Sequence, residues 1–443
     1  MNSVPISQRI SSLAQRLSQG NEAGELTSDL VRQAARLVVE QMLETEVDEF
    51  LGRQRYQRRS EDSGEVSSCD HDEAIHRPLE PGSGKGYRNG HKPRQLRTAE
   101  GKVPIELPQV RDADGWSSAL WPQIRQRTEV LDKLAVEMYA RGLSTRDIED
   151  LLGEIDDGDG RSLLSRSSVS RITEVLWEEF ESFAQRDLSG FDVVYLFCDA
   201  VYESLRQQAG CKQAILVTWG ILLDGSKVLI HLSLGNKESQ SSWQEHFRSL
   251  IQRGLPNPLT VTSDGAPGCV AAIEATWPSA ERIRCWVHKM KNVLEKVPED
   301  QHEEIKRLLF DVRDAPNHAM GEQRAETLIV DLKARGLHQA AACLEDDLTA
   351  SLAHLKLPQR HRKTVRTTNL CERSFVEQRR RAKVLPRFRG EKECLKLVFA
   401  TLWRSSERWR KVKFTALERA ELERYIKARR ADGFEVRHLE LAA

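Results

Sequence analysis

Three apolar runs of strand length lie close together in the middle of the chain, and they constrain the fold more than any other feature. They are VVYLFCDA at 193–200, CKQAILVTWGILL at 211–223 and KVLIHLSL at 227–234. Short runs rich in Val, Ile and Leu are typical of buried β-strands. Between the second and third runs, Asp224, Gly225 and Ser226 have the composition of a hairpin turn. The segment therefore predicts three antiparallel strands.

The following residues alternate between helical and strand patterns. An amphipathic pattern at 239–255 predicts a helix, LTVTSDG at 259–265 predicts a fourth strand, PGCVAAIEATW at 267–277 predicts a helix, and RIRCWV at 282–287 predicts a fifth strand. Three antiparallel strands, helix, strand, helix, strand is the element order of the ribonuclease H-like fold. We therefore predict an α/β protein with a ribonuclease H-like core. Residues 289–359 are charged and helical in pattern, which predicts an all-α insertion in that core.

Two predicted strands end in an aspartate, and a third acid lies on a later basic helix. Asp199 ends the first strand, Asp264 follows the fourth, and Glu372 lies in TTNLCERSFVEQRRRAKVLPRF at 367–388. Strand-end carboxylates are costly to bury unless they are paired or bind a metal, although any one such acid is more often a turn, capping or surface residue. Magnesium prefers oxygen ligands, usually one or two carboxylates with phosphates. We predict two Mg²⁺ ions, replaceable by Mn²⁺, with Asp199 bridging them.

Basic residues are concentrated around Glu372. The chain has 67 Lys and Arg against 67 Asp and Glu, yet residues 356–413 contain 19 Lys and Arg and only five Glu. This segregation is typical of an anion-binding surface, with a solvated basic helix as the alternative. On a helix, Asn369 and Glu372 share one face with Val376 and Arg379, so we expect Asn369 to support the site. The predicted phosphate contacts are Arg373, Arg379, Arg380, Arg381 and Lys383.

The N-terminal region predicts helices and one basic arm. Helical spacing covers residues 26–51, and the polar, Gly/Ser-rich residues 57–85 predict a flexible linker. Cys69, His71 and His76 in that linker match no standard metal site. Residues 86–112 predict short strands around an EGK turn, and three basic residues of this arm are expected to contact DNA: Arg88, Lys92 and Arg94.

Helical patterns then cover 128–142, 144–155 and 165–186. A short helix followed by one that opens with small hydroxyl residues resembles a helix-turn-helix, with a plain helical hairpin as the alternative. In the first case Ser168 and Arg171 would contact DNA.

Several longer motifs resemble one known family, the bacterial Mutator-type transposases. They are DAVYESLR at 199–206, SDGAPG at 263–268, RCWVHKMKNVLEKVP at 284–298 and the segment 367–388, and the resemblance covers roughly residues 30–409. It implies a ribonuclease H-like core with an Asp-Asp-Glu triad at Asp199, Asp264 and Glu372, interrupted by a helical insertion before the glutamate. Ser204 occupies a position where the family pattern has a basic residue, which removes one expected phosphate contact.

Cys285 and His288 match the Cys-x-x-His pair of that family. The pair supplies half of a tetrahedral zinc site, and no second pair follows at a suitable spacing, so we predict a structural role near the active site. The eight cysteines are scattered and predict reduced thiols. Trp243 is expected in the core rather than stacked on a base.

The predicted organisation has six parts. These are an N-terminal helical region with linker and basic arm (1–115), a helix-turn-helix-like region (116–188), the first part of the core (189–286), the insertion (287–362), the second part of the core with the Glu372 helix (363–415) and a helical tail (416–443).

The function expected from these features is a metal-dependent DNA transposase that binds terminal inverted repeats, cleaves DNA and transfers the strand. Its partners are the two element ends, target DNA and at least one further copy of the chain. Neither a secretory signal nor a membrane span is evident, so a cytoplasmic, nucleoid-associated protein is expected. The alternatives are a ribonuclease H-like nuclease without strand transfer and a catalytically silent DNA-binding regulator.

Overall fold

The computed structural model describes residues 11, 12, 15, 23–55, 86–112, 116–124, 126–154, 162–204, 212–235, 239–382, 388, 390–407 and 409–431. The chain divides into two compact units: Met1–Met138 with Thr145–Ile172, and Tyr139–Ser144 with Thr173–Ala443. Helices and β-sheets together make this an α/β protein, as predicted. Across the described ranges, every helix is too short or too polar to cross a membrane. The predicted linker at 57–85 lies outside the described residues.

The first unit is built on one long helix and a hairpin. Helix α1 (Ala23–Leu51) precedes the antiparallel strands β1 (Tyr87–Thr98) and β2 (Gly101–Arg111), and Thr98 lies opposite Gly101 across the turn. This confirms the strands predicted around the EGK turn. Apolar residues of the helix and both strands form one buried cluster: Leu43, Leu96, Val103, Ile105 and Leu107. The hairpin is therefore stabilised by burial against α1.

Three shorter helices follow: α2 (Glu129–Ala140), whose last two residues belong to the second unit, α3 (Thr145–Glu154) and α4 (Arg166–Ile172). The Ser165 hydroxyl accepts the Ser168 N–H at 3.3 Å, which is the capping contact expected at the start of α4. A hydrogen bond joins helices α3 and α4: the Arg166 N–H donates to the Glu149 carboxylate at 2.9 Å. Residues 155–161 between them are outside the described ranges, and the helix-turn-helix stays a prediction.

The second unit contains helix α5 (Val175–Gln185) and a five-stranded mixed sheet. Its strands are β3 (Val193–Ser204), β4 (Lys212–Leu222), β5 (Lys227–Gly235), β6 (Thr260–Ser263) and β7 (Glu281–Arg284), in the order β5-β4-β3-β6-β7. The first three are antiparallel, and β6 and β7 run parallel to β3. The hairpin turn at Gly225, where φ is +83°, agrees with prediction. Strand β7 is shorter than the predicted run, because a helix begins at Trp286.

The two faces of β3 carry different side chains. Leu196 and Cys198 belong to a core shared with α6 (Gln240–Gln252) and α7 (Pro267–Thr276), and Trp243 is buried there as expected. Tyr195, Phe197 and Asp199 alternate with them and point to the opposite face. Strand alternation thus places Asp199 on the side away from α6 and α7.

Between β7 and the Glu372 helix, the chain is helical. The elements are α8 (Trp286–Leu294), α9 (His302–Arg313), α10 (His318–Ala334), α11 (His338–Glu345), α12 (Leu348–Leu352) and α13 (Gln359–Val365), with 3-10 turns at Glu299–Gln301 and Ala353–Lys356. Helices α8 to α12 share a core of their own that includes Leu309, Leu328, Leu332 and Leu344. Every residue of this stretch is described and none is in a strand, in agreement with the predicted helical character.

Three helices complete the second unit: α14 (Asn369–Ala382), α15 (Glu391–Ser406) and α16 (Ala416–Ala431). Helix α14 contacts β3, and the Cys371 thiol points to the Phe197 carbonyl, 3.8 Å away. Helices α5 and α15 meet through an aromatic cluster in which the rings of Phe183 and Phe399 lie 4.9 Å apart. Helix α14 therefore covers the face of β3 that carries Asp199.

Candidate active site

Asp199 is a buried acid at the centre of the sheet. Its side chain is 8% exposed, and one carboxylate oxygen accepts the Ala200 N–H at 2.8 Å. Burial raises the pKa of Asp199 to about 7, with a further contribution from the negative charge of Asp264, because both disfavour the ionised form. A nearby cation would remove both penalties, so this carboxyl group has the environment of a metal ligand.

Asp264 lies beside Asp199 because of the register of two parallel strands. Cys198 of β3 pairs with Ser263 of β6, so the residue after each of them is an aspartate at the same level of the sheet. Asp264 follows the end of β6 as predicted, but the prediction that Asp199 ends its strand was wrong, because β3 continues to Ser204 in its pairing with β4. The Asp264 carboxylate accepts the Ala266 N–H at 2.9 Å, which fixes it in the turn before α7. The two acids predicted from separate strands are therefore brought together.

Gly265 allows an arginine to lie against this turn. Its φ is +83°, and a β-carbon built there would fall 1.0 Å from a terminal nitrogen of Arg284. Arg284 is 9% exposed, and its Nε is buried without a hydrogen-bond partner among the described residues. A largely buried positive charge thus lies next to the loop that carries Asp264.

Cys285 and His288 lie on the same side of the sheet. Cys285 immediately precedes α8, and its sulfur accepts hydrogen bonds from the Thr368 N–H at 3.4 Å and the Thr368 hydroxyl at 3.5 Å. Burial would raise the pKa of the Cys285 thiol, but hydrogen bonds from His288 and Thr368 outweigh burial, and the pKa lies below its ordinary value. The sulfur is therefore more easily ionised than an ordinary cysteine thiol.

His288 is the positive partner in this group. Its hydrogen bond to Cys285 raises the pKa of His288 to about 9 against the effect of burial, and the charges of Asp199 and Asp264 act in the same direction. Its Nδ1 atom is buried and has no hydrogen-bond partner among the described residues. His288 thus faces both the thiol and the aspartate pair.

Glu372 is in the first turn of α14, half-buried, and lies closest to the cysteine and histidine. One potential ligand atom each from Cys285, His288 and Glu372 lie within 4.8 Å of one another, and this set includes neither Asp199 nor Asp264. The two aspartates fit magnesium by their oxygen donors and mutual repulsion. The triad with Glu372 stays a prediction.

The basic residues of α14 differ in their partners. Arg373 and Arg379 are exposed, as is Asn369 at the first position of the helix. Arg380 and Arg381 contact Glu377 on the same helix at 2.9 and 2.6 Å. Exposed ion pairs of this kind contribute little, so a phosphate can replace Glu377 at small cost. Lys383 lies outside the described residues.

The basic residues predicted on the hairpin also differ from one another. Arg88 forms ion pairs with Glu44 and Asp48 of α1, whereas Lys92 and Arg94 are exposed. In α4, Arg171 is exposed, while Ser168 is 5% exposed. The Ser168 hydroxyl lies 3.0 Å from that of Ser165. Arg88 and Ser168 thus have internal partners that the sequence did not reveal, and their predicted contacts to DNA stay predictions.

Two polar residues of the site were absent from the sequence-based prediction. Thr368 donates to the Cys285 sulfur, and Arg284 lies against Gly265. A signal for Arg284 was available, since it ends the strand next to the one that leads to Asp264. Thr368 carried no such signal, because its contact spans 83 residues of sequence.

Most of the chain is similar in sequence to known proteins. The sequence profile of the family described as "Transposase, Mutator family" matches residues 65–412. The transposase for insertion sequence element ISRM5 of Rhizobium meliloti is 32% identical over 389 residues, which is 86% of this chain and 89% of that protein. The transposase for IS6120 of Mycolicibacterium smegmatis is 31% identical over 276 residues, 62% of this chain and 84% of that protein.

A third relative, the transposase for IS406 of Burkholderia multivorans, is 28% identical over 380 residues, 85% of this chain and 90% of that protein. The family profile spans more than half of the chain, and the first relative aligns along most of its own length. This chain belongs to the Mutator family of transposases.

Proposed function

We propose that this protein is an insertion-sequence transposase that cleaves DNA at the ends of its element and joins the freed 3′-hydroxyl to a target. The observation that carries the proposal is the aspartate pair on two neighbouring parallel strands, with Asp199 inside β3 and Asp264 just beyond the end of β6. Asp199 is almost fully buried, its pKa is raised to about 7 by burial and by Asp264, and the basic helix α14 covers the same face of the sheet. Family membership supports the same activity.

The proposed core is ribonuclease H-like. Support comes from the order β5-β4-β3-β6-β7, with three antiparallel strands followed by two parallel ones, and from helices on both faces. In this arrangement the first acid lies on the central strand and the second follows its parallel neighbour. The third acid, Glu372, arrives on α14 after the helical segment.

Asp199, Asp264 and Glu372 are the residues that would hold two magnesium ions, or manganese in their place. When bound, the ions activate the attacking oxygen and stabilise charge on the leaving oxygen of the phosphodiester. The protein's own part is to fix the two aspartates through the Ala200 and Ala266 N–H groups, with the charge of His288 partly offsetting the rise in the pKa of Asp199. Glu372 would be the third ligand, from the first turn of α14.

DNA is the proposed substrate and partner. The exposed Arg373 and Arg379 would contact phosphates near the acids, and Arg380 and Arg381 would exchange Glu377 for phosphate. In the first unit, the exposed Lys92, Arg94 and Arg171 are the proposed contacts to the terminal repeats. Two ends joined in one reaction imply at least a dimer.

The test uses purified full-length protein, a labelled duplex carrying the element's own end, an unlabelled target duplex, and magnesium or manganese. Glu372→Gln keeps the size of the side chain and removes its charge, and Glu377→Gln on the same helix is the matched control. We expect wild type and the control to nick the end and form a joined product. Glu372→Gln is expected to bind the end with unchanged affinity and to lose at least about 100-fold in cleavage.

The other outcomes separate the remaining functions. Cleavage without any joined product supports a nuclease of the same fold. Tight binding of the end by wild type without cleavage in either metal supports a silent regulator. Equal cleavage by wild type and Glu372→Gln rejects Glu372 as the third acid.

A further inference from the structure

We propose that Cys285, His288 and Glu372 form a binding site for a zinc-class divalent ion, separate from the magnesium site of the aspartates. The first support is geometric. A sulfur, an imidazole nitrogen and a carboxylate oxygen lie within 4.8 Å of one another, close enough to ligate one ion after small side-chain adjustments. Among the described residues, these three are the group of His, Cys, Asp or Glu side chains whose potential ligand atoms lie that close together.

The ligand types select the ion. Thiolate and imidazole favour zinc and its neighbours in the transition series, whereas magnesium and calcium are held by oxygen. Three protein ligands leave one tetrahedral position open for water or a phosphate oxygen. The sequence shows only the Cys-x-x-His half of this set, because Glu372 is 84 positions beyond His288.

The surroundings of the sulfur are those of a prepared ligand. Two donors from Thr368, its N–H and its hydroxyl, point at the Cys285 sulfur, and groups of this kind orient metal ligands in many proteins. Cys285 is fully buried and immediately precedes α8, where the helix dipole favours negative charge. The Nδ1 atom of His288 is buried and has no hydrogen-bond partner among the described residues. An ion bound by the ring would displace the proton of the imidazolium, as metal binding to histidine does in general.

A shared ligand links this site to catalysis. Glu372 is both the third acid proposed for magnesium and a ligand here, so an ion held by Cys285 and His288 would compete for Glu372 with the magnesium ions. That consequence depends on the proposed function. Binding itself does not, and its test uses no DNA and no measurement of activity.

The experiment is a titration of metal-free, reduced, full-length protein with cobalt(II), which takes zinc sites and gives a thiolate-to-cobalt charge-transfer band in the near ultraviolet. We expect wild type to develop this band at one equivalent and to lose it when zinc is added. Cys285→Ser is expected to abolish the band. Cys343→Ser, at a cysteine in the helical segment, is the matched control and should retain it. Cys69→Ser tests the cysteine near His71 and His76 and should also retain it.

A second variant covers the case in which Cys285→Ser fails to fold, which urea denaturation would reveal. Glu372→Gln keeps the sulfur and should keep the band, with cobalt affinity at least about tenfold weaker, the loss expected even for an indirect partner of a metal ligand. The proposal is overturned if wild type gives no band with excess cobalt, if the band survives Cys285→Ser, or if Glu372→Gln binds cobalt as tightly as wild type.

Discussion

Replacing Asp199 by asparagine is expected to stabilise the metal-free protein while destroying its function. The carboxyl group is 8% exposed, and its pKa is raised from 3.8 to about 7, first by burial and then by Asp264. Above pH 7 the group is ionised in both the folded and the unfolded chain, and the folded state carries the full cost of the buried charge. Below about pH 4 it is protonated in both states and the cost disappears.

The size of the effect follows from the two pKa values. Each pKa unit corresponds to about 1.4 kcal/mol, so ionised Asp199 costs the folded state about 4 kcal/mol at pH 8. An asparagine oxygen can still accept the Ala200 N–H, but its amide group is imperfectly bonded, which costs about 1–2 kcal/mol. We therefore expect Asp199→Asn to be more stable than wild type by roughly 2–3 kcal/mol at pH 8, with the advantage shrinking as the pH falls below 7 and the variant about 1–2 kcal/mol less stable than wild type near pH 4.

The assay is urea denaturation in EDTA between pH 4 and 8, followed by tryptophan fluorescence. Asp224→Asn is the matched control, because its carboxylate has the opposite environment. Burial would raise the pKa of Asp224, but hydrogen bonds from Lys411 and Ser226 outweigh it and lower the pKa to about 2. At pH 8, Asp224→Asn should have a free energy of unfolding equal to or lower than that of wild type. Magnesium should raise the midpoint of wild type and leave that of Asp199→Asn unchanged.

Two results would refute this reasoning. One is an Asp199→Asn protein no more stable than wild type at pH 8 in EDTA. The other is a wild-type stability that does not fall between pH 4 and 7 relative to the variant. Either would mean that Asp199 is solvated or already paired with a positive charge.

Three further predictions concern stability and DNA binding. Gly265→Ala should lower the free energy of unfolding by about 2 kcal/mol or more, since φ is +83° and the new methyl group meets Arg284, and urea denaturation measures this. Phe183→Ala should cost about 3–5 kcal/mol in the same assay, because it removes a ring that is 4% exposed in the aromatic cluster. Arg379→Gln should reduce the slope of log affinity against log salt by about 1 in fluorescence anisotropy without changing the urea midpoint. Arg88→Gln should leave the salt slope unchanged and lower the free energy of unfolding by about 1 kcal/mol, because it loses two ion pairs. Equal effects of the two variants on the salt slope would contradict the assignment of Arg379 to phosphate and Arg88 to internal pairing.

Elements with a strong local pattern were predictable from the sequence. The strands β3, β4, β5 and β6 follow apolar runs between turn residues, and α14 follows its helical spacing. The position after an apolar run was enough to select Asp199 and Asp264, although only Asp264 follows a strand end. Strand β3 continues to Ser204 because its polar residues 202–204 still pair with β4, which the end of the apolar run did not reveal. The end of β7 was predicted too late, since Trp286, read as strand, is the first buried residue of a helix.

Contacts between distant segments were not predictable. The position of Glu372 beside Cys285 and His288 depends on how a whole helical segment folds, and no local spacing contains it. The partners of Arg88 lie more than 35 positions earlier, on α1. The pairing of Arg381 with Glu377 has a different cause. Its spacing of four is visible in the sequence, but that spacing does not distinguish an arginine paired within the helix from one that contacts phosphate.

The helical segment between β7 and α14 begins and ends at almost the same point. The Trp286 N–H donates to the Arg366 carbonyl at 2.9 Å, although 80 positions of chain separate them. The Thr262 hydroxyl of β6 donates to the Val365 carbonyl at 2.7 Å and anchors the returning chain to the sheet. Since the segment has its own core and its two ends are fixed to each other and to the sheet, the position of the glutamate helix does not depend on how much chain lies between those ends.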